Sequence, residues 1–298
     1  MLYLHPYYQP GSQISLNLRS CADDKSERNV QATVVKAFTP FTMSQVLLVD
    51  INPPIADGLP PAKSSFVLKV YDPRFLQHRK GTKASAPHPW TLAAEITAAR
   101  RRAFGAGTFL PTWWPDDADS AGWEEYYHSN LQQLFTNELA AYTRLLPLQG
   151  RVIPHCYAHG TLVLPGKPVA RPVVPRVLLL SYVPGPALRA VHPARVAPAV
   201  ARALVDTVRA FGALGVIHDD LRPDNILLSP ADEHAHAFVI DFGNAEVRRA
   251  DQGNEEWEWA LAENDEPKQV EMMLEKLGIE TVDTLDPLNL DELALSLA

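Results

Sequence analysis

The chain has 298 residues, enough for one large domain or two lobes with a sizeable buried core. Its 27 Lys and Arg against 35 Asp and Glu give a net charge of -8, which disfavours a dedicated nucleic-acid-binding protein, because such proteins carry a basic surface. With only two cysteines, no disulfide framework or cysteine-based zinc site is expected, and a reducing cytoplasmic or nuclear location is predicted.

The N-terminal residues have no basic region and are interrupted by Pro6 and Pro10, so they do not resemble a signal peptide. No apolar run reaches the 18 residues that a membrane-spanning helix needs. The next part of the chain predicts strands, the first by its alternation of apolar and polar residues. These strands cover residues 13–20, 29–38, 45–51 and 65–72, with a turn at 39–44.

A lysine interrupts the last of these strands, SFVLKVYD. Lys69 would be costly to bury without a partner, so a functional ion pair is one interpretation. The alternative is an edge strand in which the lysine opposes aggregation.

A helix is predicted from about Gly122 to Leu146, closed by Pro147. Glu138 falls on its apolar stripe rather than on its polar face, so it needs a cation, and Lys69 is the natural candidate. Glu124 and Glu125 are interpreted as solvated charges of the first turn.

The long connection between Lys69 and Glu138 is interpreted as an insertion at about 73–122. It contains a helix-like piece at 89–104, whose three arginines at 100–102 are expected on a solvated face, with a substrate or partner surface as the alternative. Trp113 and Trp114 are expected to pack against the protein.

Strands are predicted again within residues 151–183, with a turn near Pro165-Gly166. A buried helix is predicted at 194–214, because apolar residues recur every three or four positions and Gly215 follows as a cap. The stretch 255–277 is acidic but has apolar residues available for packing. A short last helix is predicted at 286–297.

Residues 216–247 carry two motifs that suit phosphoryl transfer. The first is His218-x-Asp220-Leu-x-x-x-Asn225, and the second is Asp241-Phe-Gly after an apolar strand. Phosphoryl transfer needs a carboxylate to take the hydroxyl proton, and Asp220 is the candidate for this role. It also needs Mg²⁺ held by hard oxygen ligands, for which Asn225 and Asp241 are the candidates. Turn chemistry alone explains Asp219 and Asp224, and His218 is expected to be structural.

On these motifs the segment resembles the catalytic and metal-binding loops of the protein kinase superfamily. It is most similar to short, divergent kinase-like proteins of fungi, which share features with aminoglycoside and choline kinases. The resemblance implies an α+β fold of two lobes. Residues 1–183 would form an N-lobe with an antiparallel sheet, the Glu138 helix and the insertion, and residues 184–298 a reduced, mainly helical C-lobe.

The resemblance also implies cofactors and roles. ATP and Mg²⁺ are expected, with Lys69 on the phosphates and Glu138 as its partner. Ser181 and Val183 would form a hinge whose backbone reads the adenine, although ordinary turn chemistry also explains this segment. Arg222 would steady the transferring phosphoryl group.

Three departures from the kinase pattern affect the functional interpretation. Thr39, Phe41 and Ser44 stand at the positions of the glycine-rich loop, where side chains hinder the approach of backbone amides to phosphates. Asp219 replaces the arginine that meets a phosphorylated activation loop. No A-P-E motif follows Gly243, and the remaining chain is too short for the usual peptide-binding lobe.

The leading hypothesis is an ATP- and Mg²⁺-dependent phosphotransferase acting on a hydroxyl, with a protein Ser/Thr slightly favoured over a small molecule. Neither nucleic acid nor membrane is expected as a partner, and the oligomeric state is left open. The alternative is a pseudokinase that binds nucleotide or partners without turnover. A purely structural role explains these polar residues less well.

Overall fold

The structure is a computed structural model that describes residues 6–21, 27–51, 65–82, 87–104, 114–164 and 171–281. Two compact units divide the chain: Met1–Thr136 with Cys156–Tyr182, and Asn137–His155 with Val183–Ala298. The secondary structure is α+β. Within the described ranges, no helix combines the length and apolar character needed to cross a membrane. The division into lobes at residue 183 stays a prediction.

The first unit contains a six-stranded antiparallel barrel, with strand order β1-β2-β3-β4-β6-β5. The predicted strands are confirmed, but closure of the sheet is an addition to the expected antiparallel sheet. It arises because β1 pairs with both β2 and β5, which removes the free edges. The strands are β1 Gln13–Ser20, β2 Arg28–Phe38, β3 Gln45–Ile51, β4 Phe66–Tyr71, β5 Cys156–Val163 and β6 Arg176–Ser181.

Alternation of side chains fills the barrel. On β1, Ile14, Leu16 and Leu18 are buried, as the period of two predicted, and Leu68 and Val70 of β4 join the same core. Full burial of each aliphatic side chain contributes about 1.5–3 kcal/mol. The barrel interior therefore contributes strongly to the stability of this unit.

A buried carboxylate fixes the chain where it leaves β4. Asp72 is fully buried, accepts a hydrogen bond from Tyr8 Oη at 3.1 Å, and pairs with Arg74 at 2.7 Å. Burial opposes ionisation of Asp72, but the hydrogen bonds and charge of Arg74 outweigh it and lower the pKa of the carboxyl. Burial, and then the negative charge of Asp72, raise the pKa of Tyr8 well above its usual value.

The predicted insertion is packed into this unit. It includes α1, Leu92–Ala103, and the start of α2, Ser120–Arg144. Glu95 of α1 is buried and pairs with Arg171, which lies just before β6 in the chain, at 2.7 Å. Trp114 is mostly exposed but stacks on Tyr126, whereas Trp113 lies outside the described residues.

The interpretation of Glu124 and Glu125 as solvated charges is wrong. Both are buried, because arginines supplied by the insertion neutralise them. Glu124 pairs with Arg79 at 2.6 Å, and Glu125 pairs with Arg102 at 2.6 Å. The sequence predicts them in the first turn of a helix that starts at about Gly122, whereas α2 begins at Ser120, and it does not show that arginines distant along the chain cover them.

The second unit combines helices with two small sheets. The buried residues of α3, Pro198–Ala213, include Val200, Leu204, Val208 and Phe211, as the pattern predicted, and Gly215 follows with φ 83°. The acidic stretch forms two helices, α4 Asn254–Asn264 and α5 Glu266–Lys276, separated at Asp265 with φ 39°. The short strands are β7 Val216–Ile217, β8 Ile226–Ser229, β9 His236–Val239 and β10 Glu246–Val247. The Pro165-Gly166 turn and the last predicted helix lie outside the described residues.

A histidine on α2 makes the stability of the first unit depend on pH. Burial and the charge of Arg102 lower the pKa of His128 to about 4. The unfolded chain, with a histidine pKa of about 6.5, therefore binds the proton more strongly between these values, and stability falls as pH falls through this range. His128→Gln should remove this loss, so that the variant gains about 2 kcal/mol relative to wild type between pH ~7 and ~4, after allowance for partial exposure.

Urea unfolding at a series of pH values measures this difference. The exposed His236 provides the matched control, as His236→Gln. If the difference in the free energy of unfolding between wild type and His128→Gln does not change with pH, the pH dependence does not come from His128.

Candidate active site

A two-stranded hairpin brings the two candidate metal ligands to the same end. In β8 and β9, Ile226 lies opposite Val239, and the main-chain N–H of Ile240 donates to Asn225 O at 2.9 Å. Asn225 immediately precedes β8, and Asp241 follows β9 by two residues. The pairing of the strands therefore holds both residues at the open end of the hairpin.

The candidate base is tied to the candidate amide ligand. Asn225 Nδ2 donates to the main-chain oxygen of Asp220 at 2.9 Å and to its Oδ2 at 3.0 Å. Since both acceptors are oxygens, the amide nitrogen must face Asp220, which leaves Asn225 Oδ1 for a cation. Asn225 is buried, whereas the Asp220 side chain is 29% exposed and can be reached by a substrate.

Asp241 adopts a backbone conformation that is unusual for its type. Its φ of 69° and ψ of 70° lie in the left-handed region, which costs a non-glycine residue about 1–2 kcal/mol. The next residue, Phe242, is fully buried and contacts His218, Phe211 and Tyr142, with ring centroids 4.7–5.5 Å away. Burial of Phe242 thus holds Asp241 in this conformation.

His218 joins the two motifs. It is fully buried, its Nε2 lies 3.1 Å from Ile240 O, and its Nδ1 lies 3.3 Å from the main-chain N of Asp220. One neutral tautomer, with the proton on Nε2, satisfies both contacts. This placement agrees with a structural role for His218, as the sequence suggested.

The sequence did not identify one further residue of this site. Glu266, the first residue of α5, accepts hydrogen bonds from the main-chain N–H of His218 at 3.0 Å and of Asp219 at 2.8 Å. Burial raises the pKa of its carboxyl, although the two N–H donors act in the opposite direction. The only signal in the sequence is a Glu-Pro pair at a helix start, and nothing there distinguishes it from the other glutamates of this acidic stretch.

Two arginines lie beside this loop. Arg222 Nε is 3.5 Å from Asp220 Oδ2, and half of the arginine side chain is exposed. Arg189 pairs with Asp224 at 2.8 Å, also on the surface. Exposed pairs of this kind contribute little stability, about 0–1 kcal/mol. Arg222 is therefore better placed to meet a ligand beside Asp220 than to stabilise the fold.

In the first unit, the edge-strand interpretation of Lys69 is wrong. Its strand is paired on both sides, with Val46 of β3 and Leu178 of β6 opposite the lysine. Lys69 is 6% exposed, and its Nζ lies 5.7 Å from the centroid of the Tyr71 ring. A cation on a doubly paired strand has no role against edge aggregation.

The other predicted residues occupy defined positions. Glu138 of α2 is fully buried in the second unit, one turn before Tyr142. Ser181 ends β6 opposite Phe66, and Val183 is buried in the second unit. The ion pair between Lys69 and Glu138 and the reading of adenine at Ser181 and Val183 stay predictions.

The turn at residues 39–44, which the kinase resemblance placed at the glycine-rich loop, packs on the barrel. Phe41 meets the ring of Tyr8 edge-on at 6.1 Å, and Ser44 is buried. The main-chain N–H of Gln77 donates to Thr42 O at 3.2 Å. Side chains therefore fix this turn, in contrast to the bare backbone of a glycine-rich loop.

The oxygen donors at the hairpin end suit Mg²⁺. Among the described residues no group of three His, Cys, Asp or Glu side chains forms a metal cluster. One carboxylate from Asp241 and one amide oxygen from Asn225 are still a fitting set, because Mg²⁺ prefers hard oxygens and completes its shell with water and substrate phosphates.

Comparison with known proteins also supports a kinase-like protein. The model of the lipopolysaccharide kinase (Kdo/WaaP) family matches residues 187–258, which include Asp220, Asn225 and Asp241. The chain is also 47% identical over 49 residues to calcium-dependent protein kinase 12 of Oryza sativa subsp. japonica, a match that covers 16% of this chain and 9% of the rice protein. These matches support a protein kinase-like superfamily. They also support a kinase-like phosphotransferase, while the narrower resemblance to fungal proteins stays a prediction.

Removal of the Glu266 charge should loosen the loop that carries Asp220. Glu266→Gln replaces one carboxylate oxygen by an NH₂ group, so one of the two N–H groups loses its acceptor, at a cost of about 1–3 kcal/mol. Hydrogen exchange at the His218 and Asp219 amides should accelerate by about tenfold or more, since 1.4 kcal/mol corresponds to a factor of ten.

Hydrogen exchange followed by mass spectrometry or NMR measures the effect. Glu263→Gln makes the same charge change at an exposed position of α4 and serves as the control. Equal exchange at both amides in wild type and Glu266→Gln would show that the carboxylate does not hold the loop.

Proposed function

We propose that the protein is an ATP- and Mg²⁺-dependent phosphotransferase that moves the γ-phosphoryl group to a hydroxyl. The observation that carries the proposal is the arrangement at the end of the β8–β9 hairpin. There Asp220 is hydrogen-bonded to Asn225, and Asn225 and Asp241 are held at the same end by strand pairing.

Each side chain of this arrangement has a proposed role. Asp220 orients the acceptor hydroxyl and takes its proton as the oxygen attacks phosphorus. Asn225 Oδ1 and the Asp241 carboxylate hold Mg²⁺, which when bound neutralises charge on the phosphates. Arg222 adds a positive charge beside Asp220. His218 and Glu266 hold the backbone of the loop rather than reacting.

The kinase resemblance supplies the remaining roles. We propose that Lys69 binds the phosphates with Glu138 as its partner, and that the backbone at Ser181 and Val183 reads the adenine.

The acceptor class is the finer part of the proposal. A protein Ser/Thr hydroxyl is slightly favoured, because the matched rice protein is a protein kinase by its name. A small-molecule hydroxyl such as that of a sugar is the alternative, since the matching family model is described as lipopolysaccharide kinase. We also propose a cytoplasmic or nuclear location without nucleic-acid or membrane partners, on the basis of composition.

A second candidate function is a pseudokinase that binds nucleotide or partners without turnover. The observation in its favour is the turn at Thr39–Ser44, where Phe41 packs on the barrel at a position that a glycine occupies in kinases. Side chains in this turn restrict how closely backbone amides can approach phosphates.

Asp220→Asn tests the chemical step. The amide cannot accept the hydroxyl proton, so transfer should fall by about 10²–10⁴-fold while the nucleotide affinity is retained. Incorporation of labelled γ-phosphate into a panel of proteins, peptides and small hydroxyl compounds measures the rate, and the labelled product identifies the acceptor class.

Asp224→Asn is the control, because Asp224 lies in the same loop but on the surface, paired with Arg189. Full transfer by Asp220→Asn would overturn the assignment of the base. Nucleotide binding by wild type without transfer to any acceptor would favour the pseudokinase.

Asp241→Ala tests the metal site. Mg-ATP at about 100 times its dissociation constant should stabilise wild type by roughly 2.7 kcal/mol, which raises the unfolding midpoint by a few degrees. The variant should lose this metal-dependent shift because the carboxylate ligand is gone.

Thermal unfolding with ATP, with Mg²⁺ and with both separates the two ligands. Asp251→Ala removes an exposed carboxylate from the same unit as a control. A shift of equal size in wild type and Asp241→Ala would place the metal elsewhere, and no shift in wild type would favour a scaffold that does not use nucleotide.

A further inference from the structure

The two cysteines of the chain lie next to each other in the first unit. Cys21 and Cys156 are separated by 135 positions in the sequence, yet their Sγ atoms are 3.4 Å apart. They are present as thiols and not as a disulfide. Cys21 directly follows β1, and Cys156 is the first residue of β5, the strand that pairs with β1 and closes the barrel.

An irregularity in β5 creates this contact. The main-chain N–H of Cys21 donates to Tyr157 O at 2.9 Å, so Tyr157 is its neighbour in the ladder. In a regular strand Cys156 would point to the opposite face from Tyr157. The register of β5 against β6 shifts between Cys156 and Ala158, which places one extra residue in β5 and breaks the alternation. The Cys156 thiol can therefore meet Cys21.

The two thiols differ in accessibility. Cys21 is exposed, whereas Cys156 is 6% exposed. A hydrogen bond from the Cys156 thiol lowers the pKa of Cys21 and outweighs the opposing effect of partial burial. An accessible thiol of lowered pKa beside a second thiol is the arrangement that favours oxidation to a disulfide, because the first sulfur reacts with the oxidant and the second resolves the product.

We propose that Cys21 and Cys156 form a reversible thiol-oxidation site whose co-reactant is a peroxide. The Cys21 thiolate attacks one peroxide oxygen, the O–O bond breaks, and Cys21 becomes a sulfenic acid while hydrogen peroxide is reduced to one water. The Cys156 sulfur then attacks the Cys21 sulfur, the S–O bond breaks, and the hydroxyl group leaves as a second water. Two thiols thus supply the two electrons that reduce one peroxide. A dithiol reductant reverses the bond by thiol-disulfide exchange.

The disulfide would link the two strands whose pairing closes the barrel. To form it, the sulfurs must approach to about 2.05 Å, a shorter separation than in the reduced pair. The cross-link would restrict separation of β1 from β5, because it ties chain segments that are distant in sequence. The site lies within one unit and is independent of the proposed phosphoryl transfer.

The test uses hydrogen peroxide on the full chain, followed by alkylation of remaining thiols and peptide mapping by mass spectrometry. A peptide pair linked through Cys21 and Cys156, with both thiol hydrogens lost, is expected. Dithiothreitol should restore both thiols. The link should form at least about tenfold faster in the folded protein than in urea, because folding raises the effective concentration of one thiol at the other.

Cys21→Ser and Cys156→Ser distinguish the two sulfurs. In Cys21→Ser no link forms, and the buried Cys156 should resist the peroxide. In Cys156→Ser the exposed Cys21 should still react and accumulate as sulfenic acid, which dimedone traps. Oxidation of wild-type Cys21 to sulfinic acid without a link, links only between different chains, or equal rates in folded and unfolded protein would each overturn the proposal.

Discussion

The candidate active site depends on hydrogen-bond partners for the main-chain groups of one loop, which has little regular structure of its own. Between β7 and β8 the chain makes few ladder hydrogen bonds, so other groups must accept its N–H donors. Glu266 accepts two of these donors, His218 Nδ1 accepts a third, and the Asn225 side chain donates to Asp220. The candidate base, Asp220, is thereby held while its side chain stays partly accessible.

The same contacts couple the loop to the segment that carries Asp241. His218 reaches Ile240 O through Nε2 and packs on Phe242, while Asn137 and Tyr142 at the end of α2 contact Gly243 and Phe242. Asp241 is therefore flanked on both sides by fixed residues. Such preorganisation lets a site stabilise developing charge without reorganising during the reaction.

In the first unit, charged side chains are buried within apolar packing. Its closed barrel has no free edge, and its buried acids are paired with arginines: Asp72 with Arg74, Glu95 with Arg171, and Glu124 with Arg79. Loss of one partner would leave an uncompensated charge, which is far more costly than the pair itself. The segment that looked like an insertion supplies much of this pairing and is therefore part of the unit's structure.

The sequence by itself predicted the strands of the barrel and the helices α1, α2 and α3, because periodicities of two and 3.6 residues depend only on which side chains face the core. It also predicted the short-range group of Asp220, Asn225 and Asp241, since the spacing within a loop and one hairpin leaves few arrangements. Only the tertiary structure decided the closure of the barrel, the burial of Glu124 and Glu125, the contact of Glu266 with the loop, and the meeting of Cys21 with Cys156. Each of these depends on partners at least 23 positions away in the chain, and up to 148 where Ser15 of β1 pairs with Val163 of β5. Local patterns carry no information on such pairs, because chain topology and packing, rather than local propensity, bring them together.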